Sequence, residues 1–149
     1  MKYRKIKSHQ LSEAVMRKMW GDEYCLTEIE TFDGIMVKCY ADMFDHIFYE
    51  SFDRIEKDKS ILSLNRLEKM LWIKDVLQDR GAILKKGWNS KDKEYFKDRR
   101  VAVVKGNYIV VIRFTGKLKA KLVTAYEKDD IENILSGPDF EKNVNYFGE

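Results

Sequence analysis

His46 and Glu50, four residues apart, are the first pair in this chain whose types and spacing suit catalysis. An imidazole titrates near neutrality, and on a helix this spacing sets a carboxylate where it can orient or charge the ring. Further along stand Lys59, Arg66, Arg100, Arg113, Thr124 and Tyr126. Cleaving RNA without a metal requires a base for the 2′-hydroxyl, cations on the phosphorane and an acid for the leaving 5′-oxygen. The types in this set can fill those roles.

Arg113 follows the apolar run Tyr108-Ile-Val-Val-Ile112, where a buried cation needs a partner or a ligand. A tight turn at Gly106-Asn107 places Arg100 opposite it, and an anion between the two would relieve their repulsion. Lys119 and Lys121 carry the charge along the last predicted strand, while Thr124 and Tyr126 project together from one face. Lys59 and Arg66 flank the start of a predicted helix, whose positive end adds to their pull on phosphate. Each has an ordinary alternative: a surface His-Glu pair, an Arg reaching water or an acid, solvated helix residues, strand residues without further role. Trp72 and Trp88 could stack on bases; Trp72 reads as core, while Trp88, in a predicted loop, is an open case.

The net charge of +3 hides a segregation of charge. Residues 1–21 carry +5, residues 22–58 carry −8, residues 59–79 carry +1, residues 80–126 carry +10 and residues 127–149 carry −5. The +10 block coincides with the predicted sheet and reads equally as a polyanion footprint or a Lys-rich solvated surface. Phosphate-binding loops, dinucleotide glycine patterns, serine-hydrolase elbows and zinc-protease helices are absent, so those chemistries lose their usual signatures. Cys25 and Cys39 read as small buried hydrophobes, and with His9 and His46 they complete no zinc spacing, so neither metal nor cofactor is expected. The basic first ten residues precede no apolar run, and no stretch approaches the length that spans a bilayer; a reducing cytoplasm without membrane contact is the expected setting.

These residues must be positioned by one α+β domain over residues 1–149, with N-terminal helices packed on a small antiparallel sheet. Residues 1–41 form an extension of helix plus strand: Leu11, Val15, Met16 and Met19 share a helix face closed by Gly21, and Ile35, Val37 and Cys39 alternate after the Asp33-Gly34 turn. A helix capped by Asp42 is predicted to run to about residue 55, and one capped by Ser60 to about residue 79. Residues 81–98 read as a mobile loop or weak hairpin. Turns at Gly106-Asn107 and Thr115-Gly116 then give a three-stranded meander pairing Arg100 with Arg113, Ala102 with Val111 and Val111 with Ala120.

The succession His46-Ile-Phe-Tyr-Glu-Ser51, Lys57-Asp-Lys-Ser60, Arg66, Leu71-Trp-Ile-Lys-Asp75, Arg99-Arg-Val-Ala-Val103, Asn107-Tyr-Ile-Val-Val-Ile-Arg113 and Val123-Thr-Ala-Tyr126 resembles the phage-associated nuclease-like domains grouped with barnase, EndoU, colicin nucleases and RelE. The resemblance covers residues 42–136 and implies helices on a small antiparallel sheet, metal-independent RNA cleavage and a toxin-like or mobile-element setting. It places His46, Arg66, Arg113, Thr124 and Tyr126 at functional positions; Glu50, Lys59, Arg100, Lys119 and Lys121 are the substrate-binding residues expected beside them. The expected partners are RNA, such as tRNA or ribosome-bound mRNA, and an immunity or antitoxin protein. The alternative is a catalytically silent domain that binds nucleic acid or protein. Convergence of the candidates on one phosphate position separates the two readings.

Overall fold

A computed structural model describes residues 3–50, 61–89, 91–95, 100–142 and 146–147. The first helix, α1 (Glu13–Trp20), starts where the Ser12 hydroxyl accepts from the Val15 amide at 3.2 Å. Met16 and Trp20 are buried, and the chain runs through Gly21 into a π-helical turn, Gly21–Cys25, that buries Tyr24 on the same stripe. Val15 is exposed, so the apolar face lies further round than its expected position. Strands β1 (Ile29–Glu30) and β2 (Met36–Lys38) pair around Gly34, whose φ of +86° suits glycine.

Helix α2 (Met43–Phe48) buries Phe44, Ile47 and Phe48 and ends well before residue 55. The Phe48 carbonyl accepts from the Ser63 amide at 2.8 Å instead of continuing the helix. Strand β3 (Tyr49–Glu50) pairs with β4 (Ile61–Leu62), so His46 and Glu50 sit in different elements and the expected shared helix face does not exist.

The predicted long helix is two short ones, α3 (Leu64–Glu68) and α4 (Trp72–Leu77). Ser63 caps the first, its hydroxyl accepting from the Arg66 amide; the expected cap, Ser60, lies outside the described residues. The break has an identifiable cause. The buried Tyr24 hydroxyl donates to the Met70 carbonyl at 2.6 Å and accepts from the Lys74 amide at 3.0 Å. Those two groups would bond each other in a continuous helix, and inserting a side chain between them bends the ladder. Burial holds the Tyr24 phenol far above its ordinary pKa, so it remains a donor.

Strand β5 (Ile83–Lys86) and a hairpin of β6 (Trp88–Asn89) and β7 (Glu94–Tyr95) occupy the segment expected to be a mobile loop or weak hairpin. Strands β8 (Arg100–Lys105), β9 (Tyr108–Gly116) and β10 (Lys119–Glu127) form the meander, followed by α5 (Glu132–Leu135). The sheet order is β1-β2-β10-β9-β8-β5, with β2 parallel to β10 and every other pair antiparallel. The fold is thus α+β, but on a six-stranded mixed sheet. Leu84 and the Lys86 amide also bond Phe140 and Pro138, closing the β5 edge.

The first hairpin has the predicted register, Arg100 opposite Arg113 and Ala102 opposite Val111. The second turns at Lys117-Leu118, with Leu118 at φ +60°, rather than at Thr115-Gly116. Ala120 therefore meets Phe114, and Val111 meets Thr124. A bulge leaves Val123 without a partner between Leu122 and Thr124. Leu122 and Ala125 consequently face one side of the sheet, whereas Val123, Thr124 and Tyr126 face the other.

Val101, Val103, Val110, Ile112 and Leu122 form the main core under α1, α2 and α4. Ala102, Val104, Ile109 and Val111 form a smaller core on the outer face, covered by Ile131, Ile134 and Leu135. Cys39 is buried in the main core as a free thiol, its pKa pushed up to about 12 by burial. No helix among the described residues is long and apolar enough to cross a membrane. Tyr24→Phe strands the Met70 carbonyl and Lys74 amide, and urea unfolding should show a loss of about 1–3 kcal/mol.

Candidate nucleic-acid interface

The outer face of the sheet divides in two. Toward the Val104 and Ile109 ends it carries the small core under α5. Toward the Arg100 end, cross-strand partners line up as Arg100 (β8), Arg113 (β9), Lys121 (β10) and Lys38 (β2). Directly paired residues share a face, and at strand spacings of about 4.8 Å this row of four cations spans roughly 14 Å. Lys119 shares the face on β10, two residues before Lys121.

Among the described residues no carboxylate lies within ion-pair distance of Lys38, Arg113, Lys119 or Lys121. The Arg113 Nε is buried and has no hydrogen-bond partner there. Burial, then the charge of Arg113, pulls the Arg100 guanidinium below its ordinary pKa. Like charges opposed across a sheet destabilise it, and an anion bridging them reverses the sign.

A cleft of about 460 Å³ opens beside Arg100. Its floor is Ala102, Val111 and Val123, and the β10 side contributes Thr124 and Tyr126. Trp88 and Tyr95, ring centroids 4.9 Å apart and edge to face, form the opposite wall. These rings remain open to solvent: Trp88 is 50%, Tyr95 40% and Tyr126 37% exposed. Lys85, Lys86 and Lys128 also line the cleft, and no acidic residue does so among those described. Lys85 is buried and bound to Asp139 at 2.6 Å and the Gly137 carbonyl at 3.1 Å, so it fastens the C-terminal segment.

Gly87 positions Arg100. Its amide donates to the Arg100 carbonyl at 2.9 Å, and a Cβ at this position would lie 2.4 Å from Arg100 Cγ. Only glycine lets the Arg100 stem lie against that turn. Burial raises the Tyr126 pKa, which keeps its phenol protonated and able to donate.

The catalytic candidates do not line one cavity. Arg100, Thr124 and Tyr126 meet in the cleft, and Arg113 adjoins them by pairing with Arg100. Arg66 shares a separate cavity of about 20 Å³ with Tyr126, Lys69 and Glu127. Its guanidinium donates to the Tyr49 carbonyl at 3.0 Å and lies 3.9 Å from Glu50. His46 is exposed on α2, against the main core on the other side of the sheet, and lines neither cavity. Lys59 lies outside the described residues. Among the described residues no group of three or more His, Cys, Asp or Glu could hold a metal ion.

The sequence reading missed Tyr95, Lys128 and Lys38. Tyr95 and Lys128 belong to the cleft only once β5 joins β8 and the bulge turns β10. Lys38 joins the row only through the parallel pairing of β2 with β10, a long-range contact with no local signal. Arg113→Met removes the opposed charge while keeping the stem, so it should raise stability by about 0.5 kcal/mol in urea unfolding. Comparison with known proteins adds no relative: no family model, no curated protein and no solved structure matches this chain.

Proposed function

We propose that this protein binds nucleic acid on the outer face of its sheet. The observation that carries the reading is the cation row from Arg100 to Lys38 running into a cleft walled by exposed aromatic rings. Rows of Lys and Arg recruit phosphate backbones over long range, and open aromatic faces accept bases irrespective of sequence. Carboxylates that would neutralise such a row are absent among the described residues near Arg113 and Lys121.

Metal-independent cleavage of RNA, in a toxin-like or phage-linked setting, is the second reading. The barnase- or RelE-like likeness implied by the motif order goes with it. It is favoured by Arg100, Thr124 and Tyr126 lining one cleft. In that reading Arg100 and Arg113 hold the phosphate, the 2′-oxygen attacks phosphorus as its proton passes to water, and the P–O5′ bond breaks as the Tyr126 phenol gives its proton to the leaving 5′-oxygen. His46, on the other side of the sheet, has no part in the step at this cleft.

Anisotropy titration of labelled single-stranded RNA across a salt series tests the first reading. With three or four phosphates neutralised, log K should fall against log salt with a slope of about −2 to −3. Lys121→Gln should weaken binding and make that slope shallower by about 0.7, and His46→Ala should leave both unchanged. Gly87→Ala should weaken binding several-fold at constant charge, by displacing Arg100. Absence of binding at low salt contradicts the proposal. Incubating RNA with the protein in EDTA tests the second: metal-free cleavage lost in Tyr126→Phe but retained in His46→Ala supports it, and intact RNA rejects it.

A further inference from the structure

The cation row and the aromatic cleft are contiguous, and together they define a direction. The row runs across the strands, from Lys38 on β2 through Lys121 and Arg113 to Arg100 on β8. Alongside the Arg100–Arg113 end of the row the same face drops into the cleft, which spans β8, β9 and β10 and is walled on its far side by the β6–β7 hairpin carrying Trp88 and Tyr95. Resting on the nucleic-acid reading above, we infer that a single strand crosses the sheet perpendicular to its β-strands. Its backbone lies along Lys38, Lys121, Arg113 and Arg100, and one unstacked base enters the cleft between Trp88 and Tyr126.

Three observations select a short single strand over a duplex. The row spans roughly 14 Å, enough for about three backbone phosphates and too short for a helical turn of duplex. The cleft floor of Ala102, Val111 and Val123 is apolar and recessed between α5 and the hairpin, so a base must leave its stack to reach it. The edge-to-face contact with Tyr95 holds the Trp88 ring upright and leaves a face open to a base.

The C-terminal segment supports the same path. The Lys85–Asp139 ion pair and the Gly137 carbonyl on Lys85 hold Gly137 at the cleft rim, beside Tyr95. The base reaches the cleft beside Arg100, with the neighbouring phosphates on the row.

Competition anisotropy with oligouridylates of about one to eight nucleotides, single-stranded DNA of matching length, an RNA duplex and polyglutamate tests the inference. Affinity should climb to about four nucleotides and then flatten. Trp88→Ala should lower it roughly 10-fold at every length, and Trp88→Phe should restore most of the loss. Lys38→Gln should weaken only strands long enough to reach β2. Equal affinity for RNA and DNA strands shows that backbone and base faces are read, and RNA preference adds contacts to the 2′-hydroxyl; either outcome supports the path if the length and Trp88 effects hold. Duplex binding as tight as single strand, or no effect of Trp88→Ala, overturns the path while leaving the binding face intact. Polyglutamate competing as well as RNA overturns the path in favour of an acidic protein partner. No binding of any nucleic acid removes the reading on which the inference rests.

Discussion

The opposed guanidinium groups of Arg100 and Arg113 set the terms for the outer face of this molecule. A register error would separate them, yet the register is held from both sides: Val101 and Val103 pair with Ile112 and Val110 in the main core, and Ala102 and Val104 pair with Val111 and Ile109 in the smaller one. A one-residue slip would turn over the faces of the slipped strand and move its arginine to the wrong side. Two apolar cores thus bring two cations together. Such an arrangement makes physical sense when an anion joins the pair.

The Val123 bulge is the second constraint. It lets Leu122 and Ala125 both remain in the main core while Thr124 and Tyr126 turn to the cleft. The parallel docking of β2 then adds Lys38 to the cations of β10. Three separate features, a hairpin register, a bulge and a long-range strand pairing, therefore converge on one surface. Neutral-pH charge on this surface follows from residue type, because burial shifts Arg100 downward without bringing a guanidinium near neutrality.

Much of the meander was legible in the sequence because Gly106-Asn107 sets the first turn and the flanking Val and Ile residues set two apolar faces. The Arg100–Arg113 pair followed from that turn alone. The second turn was misplaced because Leu118 adopts a left-handed conformation that its residue type does not announce. The breaks after Phe48 and Lys69 were equally hidden. One depends on the Ser63 amide, at the cap of α3, reaching the Phe48 carbonyl, the other on Tyr24 entering the ladder between Met70 and Lys74. Local pattern marked Arg100, Arg113, Thr124 and Tyr126 as a set, and tertiary structure separated His46 from them.

The central claim is that the cation row and the cleft together form the ligand-binding face. Titrating isotopically labelled protein with a short single-stranded RNA, and following backbone amides by NMR, tests it most directly. The account predicts perturbations clustered at Lys38, Trp88, Arg100, Arg113, Lys121 and Thr124, with the amides of α2 around His46 unmoved. Perturbations centred on His46 and Arg66, with the outer face silent, would contradict it.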